Sequence, residues 1–437
     1  MKKIISVFIL FALCISCFFS GCDNGSDEEL FTRTTKGNDT PKKETTAQTE
    51  ENEMLTEMIP EIYETNVILS RLTEKPVTVE IGKTGVTIDL NYYGWPTLVR
   101  DENGVLYVAA SLRRNHVDPF GATAFFESHD GGLTWSEPRI IYDSPVDDRD
   151  TGLVYIGGGK MVATFFTIGA NSFLSGGSYE KQWGKCTDEQ KAAKKAEWET
   201  YSAAELTSFE GKFVLLSEDY GKTWSDPIRV PFSCPHGPSL MNDGRTLIVS
   251  GISSEKIFQT YISRDFGKTW SKNSEVQLPE LPEKYKYSEP YVIQLKDGSY
   301  LAGIRSGIGG SSDGSILGFW VMKSQDGKNW TEAKKIESVV GAPPHFLELS
   351  NGAILMTYSY RLGNRGIRGC LSYDGGETWT EELIVLADNV STKNKDLGYP
   401  TTVEMDDGTL VTVYYQPSGD DWCASVLYTK WRLNSAE

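Results

Sequence analysis

Basic residues, histidine and cysteine are all scarce in this chain of 437 residues. Lys and Arg number 43 against 60 Asp and Glu, for a formal net charge of −17. A phosphate backbone would be repelled by that balance, which argues against a nucleic-acid partner. A small acidic ligand stays open, because a local basic pocket can outvote the average. Beyond residue 22 only four cysteines remain, Cys186, Cys234, Cys370 and Cys423, irregularly spaced and without a C-x-x-C. At most one disulfide and no metal cluster are expected. With just four His in the chain, no metal or other cofactor is expected, and a monomer is.

Long apolar runs are also missing, with one exception. Lys2-Lys3 precedes an apolar stretch over residues 4–19, too short for an ordinary membrane-spanning helix and shaped like a secretory signal. It closes on Phe19-Ser20-Gly21-Cys22, which resembles a bacterial lipobox. That resemblance implies cleavage after residue 21, a diacylglycerol anchor on Cys22, and an exported protein held at a membrane face. Residues 22–55 are rich in Thr, Lys, Asp and Glu and poor in large apolar side chains. Such a stretch cannot bury enough surface to fold, so it reads as a tether. Met54, Met58, Ile62, Val67 and Leu72 recur loosely at helical spacing around Pro60, so residues 56–75 are read as a short helical lead-in.

What the chain has in plenty is glycine, 42 residues, with 21 Tyr and 11 Trp. That composition suits a turn-rich β protein. One turn recurs. Ser128-His129-Asp130-Gly131-Gly132-Leu133-Thr134-Trp135 returns at Ser217 to Trp224, Ser263 to Trp270, Ser324 to Trp330 and Ser372 to Trp379. Ser and Asp can bond neighbouring backbone N–H groups, Gly supplies positive φ, and Trp packs over the bend. Five copies mean an array of similar β units.

A second repeat precedes each copy: a Pro or small residue, an apolar alternation, a Gly-centred turn and a returning strand. Its six copies begin near Gly94, Asp150, His236, Glu289, His345 and Tyr399. Six copies predict an all-β, six-bladed propeller over residues 76–437. The sixth copy has room for too few strands, and the alternating segment Val77-Thr78-Val79-Glu80-Ile81 is expected to complete its blade and close the ring. Blade two carries an insertion at about residues 169–208, where Thr187 caps a run of helix formers from Asp188.

The S-x-D-x-G-x-x-W turns are similar to the Asp boxes of the sialidase superfamily, and the resemblance spans roughly residues 76–433. It implies a propeller. The turn itself carries no chemistry, since Asp boxes also occur in non-catalytic propellers. In such a fold the start of each first strand and the end of each second share a face, opposite the Asp boxes. That face should gather Trp95 beside Gly94, Arg113, Arg114, His116, Asp118, Asp150, His236, Glu289, Arg305, His345, Arg361, Arg365, Arg368 and Tyr399.

Glu289-Pro290 running to Arg305, and Gly398-Tyr399-Pro400 running to Tyr415, resemble the sialidase Glu-to-Arg and nucleophile-Tyr stretches. The resemblance implies Tyr399 as nucleophile, Glu289 as its base, and Asp118 as acid/base. Arg305 with Arg365 or Arg368 would hold a sugar carboxylate. Where the superfamily has Arg-Ile-Pro, this chain has Gly94-Trp95-Pro96, so one arm of a three-Arg clamp is missing, with Arg113 or Arg114 as possible substitutes. Arg149-Asp150 reads either as an ion pair or as a ligand contact. His116, His236 and His345 read as contacts to sugar hydroxyls. A glycan substrate is implied, with sialic acid first, another sugar cleaved on the same fold second, and a non-catalytic glycan-binding lipoprotein third.

Overall fold

A computed structural model of the chain describes residues 58–68, 76–184, 186–308, 316–381, 384–389, 395–417 and 423–435. The expected signal, the tether and Cys22 lie outside the described residues. Six four-stranded antiparallel sheets succeed one another along the chain, each a blade of a propeller. Their innermost strands are Tyr92–Arg100, Asp147–Gly157, Ser239–Leu240, Tyr285–Gln294, Ala342–Glu348 and Gly398–Glu404. Apolar side chains of successive blades interlock between the sheets, as where Val214, Leu247, Tyr291, Phe319 and Met356 share one cluster.

The Asp boxes sit between third and fourth strands and are built alike. In the first, Ser128 Oγ donates to Asp130 at 2.9 Å, the Gly132 N–H donates to Ser128 Oγ at 2.8 Å, and the Thr134 N–H donates to Asp130 at 2.9 Å. The copy at Ser217 repeats these bonds at 2.9 Å each. The Ser and Asp side chains of the turn are thus engaged within it.

Ring closure differs from the expectation. Val77–Glu80 pairs with Thr87–Leu90 in a separate two-stranded sheet. The last blade is completed instead by Met58–Ile68, inside the segment read as a helical lead-in, which pairs with Ala424–Ser435 from Met58↔Ser435 to Ile68↔Leu427. The reason is tertiary. An unpaired strand edge on the closing blade is a stronger demand than a weak local period, and strand preference follows the partner offered. Pro60 is tolerated because this strand is the outermost of its sheet. Thr65 Oγ1 clips it to blade five by donating to Leu386 O at 2.8 Å.

The insertion in blade two forms two helices, Asp188–Glu199 and Ala203–Ser208, each opened by a full capping box, on Thr187 and Ser202. Trp183 and Trp198 anchor it, their rings 5.6 Å apart, with Trp198 Nε1 donating to Pro145 O at 2.6 Å. The displaced hairpin lies against it, Gln190 reaching Thr87 O at 3.2 Å.

Candidate active site

Four inner strands share a device. Pairing skips between Gly94 and Thr97, Arg149 and Gly152, Ser288 and Tyr291, and Gly398 and Thr401. Each skip is a β-bulge, and its first residue, Trp95, Asp150, Glu289 or Tyr399, has φ between +50° and +52°. Side chains other than glycine rarely take that conformation, at a cost of about 1–3 kcal/mol each. The bulge turns one side chain of each blade toward the propeller axis. Three of the four are followed by Pro, whose missing N–H removes no ladder bond there.

Two of these side chains meet directly. Tyr399 Oη donates a short hydrogen bond to Oε1 of Glu289, and Arg305 Nη1 holds Oε2 at 2.7 Å. Tyr399 is only 4 % exposed. Burial first, then the neighbouring Glu289 and Asp150 carboxylates, push its phenol well above the ordinary value near 10. Burial works against charge on Glu289 too, but Arg305, the Tyr399 hydroxyl and Arg361 outweigh it and hold the carboxyl below its usual range. The resting pair is a neutral phenol donating to a carboxylate ready to take its proton.

Arg361 completes this cluster. Its Nε donates to Leu397 O at 2.9 Å, just ahead of Tyr399. It is the second arginine at the site, where the resemblance implied Arg365 or Arg368. Arg368 is spent on the carbonyls of Ala387 at 2.8 Å and Asn364 at 2.6 Å, and on Asp388 at 2.9 Å. Arg365 stands in the turn before it, its N–H donating to Gly363 O at 2.9 Å.

Blade one departs further from expectation. Asp118 is fully buried, receiving Arg114 Nη2 at 2.9 Å and the Phe120 N–H at 3.2 Å. It ties its own loop, with its carboxylate turned to Arg114 and the loop's own backbone. Arg114 also donates to Trp183 O at 3.2 Å, joining that loop to the insertion. Arg113 is buried in an ion pair with Asp147 at 2.8 Å. Its guanidinium lies 5.0 Å from the Trp95 ring centroid, and that of Arg149 at 4.8 Å, so Trp95 rather than a substrate takes both cations. Gly94 is a close-approach glycine, since a Cβ there would stand 2.9 Å from the Tyr92 ring.

Asp150 faces the cluster from blade two. Its carboxyl is raised above the usual range by burial, against the pull of Arg149 and Arg113 and with the push of Glu289. It contacts Arg149 at 3.8 Å while its field reaches Tyr399. Both readings of the Arg149-Asp150 pair are therefore compatible in one place.

His236 and His345 lie deeper. Their rings are 5.5 Å apart, Tyr291 stacks on His345 at 5.0 Å, and His236 stands 6.0 Å from the Tyr399 ring. Burial pushes His236 down to about 4 and His345 further, so both are neutral. They line a channel cavity of about 540 Å³ that leads away past Thr97 and Thr401 toward Arg100 and Glu404 on the other face. They form the floor of the site rather than its mouth.

His116 does stand at the mouth. Its Nδ1 meets both oxygens of Asp396, at 3.0 and 3.1 Å, and Asp396 also accepts Tyr92 Oη at 2.6 Å and Tyr415 Oη at 2.8 Å. Asp396 had no signal in the sequence, because it belongs to no repeat and precedes Tyr399 in an irregular segment. Among the described residues no group of three or more His, Cys, Asp or Glu could hold a metal ion. Cys186, Cys234 and Cys370 are buried free thiols.

Residues 192–411 match the family described as BNR repeat-like domain. No curated protein matches the chain. Among solved structures, a Dyadobacter fermentans protein of unknown function superposes with a TM-score of 0.63 at 20 % identity, covering 86 % of this chain and 99 % of its own. The NanB sialidase of Streptococcus pneumoniae gives 0.56 at 14 % identity, covering 82 % and 71 %. The Trypanosoma rangeli sialidase, solved as a covalent intermediate with 2,3-difluorosialic acid, gives 0.51 at 16 %, covering 86 % and 59 %. At such identities these likenesses speak for the fold alone. Together with the Asp boxes and the six blades, the family match places this chain in the BNR repeat-like family of the sialidase superfamily.

Proposed function

We propose that the protein is an exo-acting glycoside hydrolase that removes a terminal acidic sugar, sialic acid or a relative, by a retaining mechanism. One observation carries the reading: the Tyr399 hydroxyl donates to Glu289, which is itself held ionised by Arg305. Binding a sugar requires no such chain. A phenol this strongly desolvated is a poor nucleophile unless a base takes its proton as it attacks, and Glu289 is in place to do so. Tyr nucleophiles are the exception among glycosidases, and the covalent intermediate of the trypanosomal sialidase lends the assignment support. Arg305 and Arg361 would hold the sugar carboxylate, since guanidinium–carboxylate pairs are strong and directional.

A second reading is favoured by Trp95. Gly94 stands where the superfamily's first strand would bring a third arginine, and the buried apolar ring of Trp95 beside it suits a sugar with less charge at that corner. The discriminating experiment is turnover by the purified protein on a panel of aryl glycosides, with α-sialosides and uronosides included. Release from sialosides supports the first reading and release from another sugar alone supports the second. Binding without any turnover would leave only a glycan-capturing protein. For the anchor, the Cys22 lipobox supports an exported, membrane-tethered enzyme acting on glycans outside the cytoplasm.

A further inference from the structure

The resemblance places the proton donor in the loop after the second strand of blade one, on Asp118. That carboxylate is 0 % exposed and neutralised by Arg114. Two residues earlier in the same loop, the His116 side chain is 43 % exposed, although Asp396, against which its Nδ1 rests, is nearly buried. The exposed edge of the ring is therefore the one that carries Nε2.

Asp396 settles the tautomer. Burial disfavours its charge, but His116 and the two tyrosine hydroxyls outweigh that and hold it as a carboxylate, an acceptor only. Nδ1 must then carry the hydrogen, and Nε2 is left to exchange a proton with whatever occupies the mouth. The ring is fixed from a second side by Trp95, edge-on at 5.0 Å, and Trp95 in turn meets Tyr399 at 6.3 Å. Other groups facing the imidazole are Asp150, whose field it shares, and Arg113, which donates to the His116 carbonyl at 3.4 Å.

We propose that His116, oriented by Asp396, is the general acid/base of glycoside cleavage; this rests on the hydrolase reading above. Tyr399 Oη attacks the anomeric carbon and passes its proton to Glu289. The bond to the departing oxygen breaks, its electron pair stays on that oxygen, and His116, entering the step as the imidazolium with hydrogen on both nitrogens, supplies the proton from Nε2 and becomes neutral. Neutral His116 then takes a proton from water as the water oxygen attacks the same carbon, and Tyr399 leaves, recovering its proton from Glu289. Asp150 is less suited to this role, because an exo-acting enzyme must let the aglycone point to solvent. Asp150 occupies the same bulge position as Tyr399, and its side chain is only 13 % exposed.

The test compares His116→Gln with wild type on two glycosides of the sugar found to be cleaved, one with an alkyl aglycone and one with 4-nitrophenol. General acid catalysis contributes about 10²–10⁴-fold. The alkyl glycoside should lose at least about 100-fold in kcat/KM and the nitrophenyl glycoside less than about 10-fold, because nitrophenolate leaves unprotonated. Azide, which attacks without a base, should accelerate the variant and not the wild type. Asp396→Asn, which takes the anionic acceptor from Nδ1, should lower kcat/KM on the alkyl glycoside more than on the nitrophenyl glycoside. Equal losses on both glycosides without azide rescue would overturn the proposal, as would the same signature appearing in Asp150→Asn instead. A wild type inert on every glycoside would overturn the hydrolase reading itself, and this role with it.

Discussion

Trp95 and Tyr399 occupy the same position in adjacent blades: each has φ of +52°, each precedes a proline, and their rings meet edge to face at 6.3 Å. One bulge geometry thus delivers a phenol in one blade and an apolar indole in the next. The scaffold fixes where a side chain points, and the residue type at the bulge decides what chemistry arrives there. In two further blades the same bulge delivers the carboxyl groups of Glu289 and Asp150.

Tyr399→Phe should therefore abolish turnover, by at least about 10³-fold, because the nucleophilic oxygen is removed while the ring keeps its contacts with Trp95 and Tyr415. Stability should fall by only about 1 kcal/mol, the net worth of one hydrogen bond. Initial rates on the best substrate, with thermal melts alongside, check both. Near-normal turnover in this variant would rule out the phenol as nucleophile.

Much of this is legible in the sequence alone. Asp boxes and Gly-centred turns are local signals, so six blades and the shared face of Glu289, Arg305 and Tyr399 followed from counting repeats. Closure of the ring was not legible. Val77 to Ile81 alternates as a strand should, yet it pairs with Thr87–Leu90, while Met58–Ile68 closes the ring against its local period. Which strand meets a distant open edge depends on partners far away in sequence. The roles of arginines were obscured for a similar reason. Arg361 and Arg368 are seven residues apart and of the same residue type, but one lies beside Glu289 and the other pairs with Asp388.

Gly94→Arg tests whether blade one has simply lost an arm. A Cβ at position 94 would meet Tyr92 Cε1 at 2.9 Å, and Tyr92 is pinned by its bond to Asp396 at 2.6 Å. The ring cannot yield without breaking the carboxylate network behind His116. The variant should lose activity on every substrate and melt at lower temperature, with a destabilisation of about 1–3 kcal/mol typical of overpacking. A gain in sialoside kcat/KM with unchanged melting would show that the corner still has room for an arginine.

Cys22→Ser should move the protein from the membrane fraction to the soluble exported fraction. The lipobox reading makes the thiol of Cys22 the attachment point for the diacylglycerol, and no helix among the described residues is long and apolar enough to cross a membrane. Fractionation followed by immunoblotting reads the outcome. Membrane association that survives the substitution would require another anchor.

The floor histidines make stability depend on pH in a definable direction. His236 titrates near 6.5 when unfolded, but burial pushes it down to about 4 in the folded chain, against the weaker pull of Glu289. His345 is shifted the same way by burial and by His236. Between these values the unfolded chain binds more protons than the folded one, so stability is complete above about pH 6.5 and drains away as the pH falls toward 4. For His236 the loss across that window is about 3 kcal/mol. Asp143 and Asp147, both raised to about 6 by burial, act in the opposite sense over an overlapping range. The total slope therefore mixes two signs, and only a comparison isolates the imidazole. His236→Phe keeps an aromatic ring at the floor and removes the titration. Urea unfolding of both proteins at pH 7 and pH 4.5 should show the variant losing about 2–3 kcal/mol less than wild type on acidification, whatever its stability at pH 7. Parallel losses in the two proteins would mean that His236 is not held neutral beneath Tyr399.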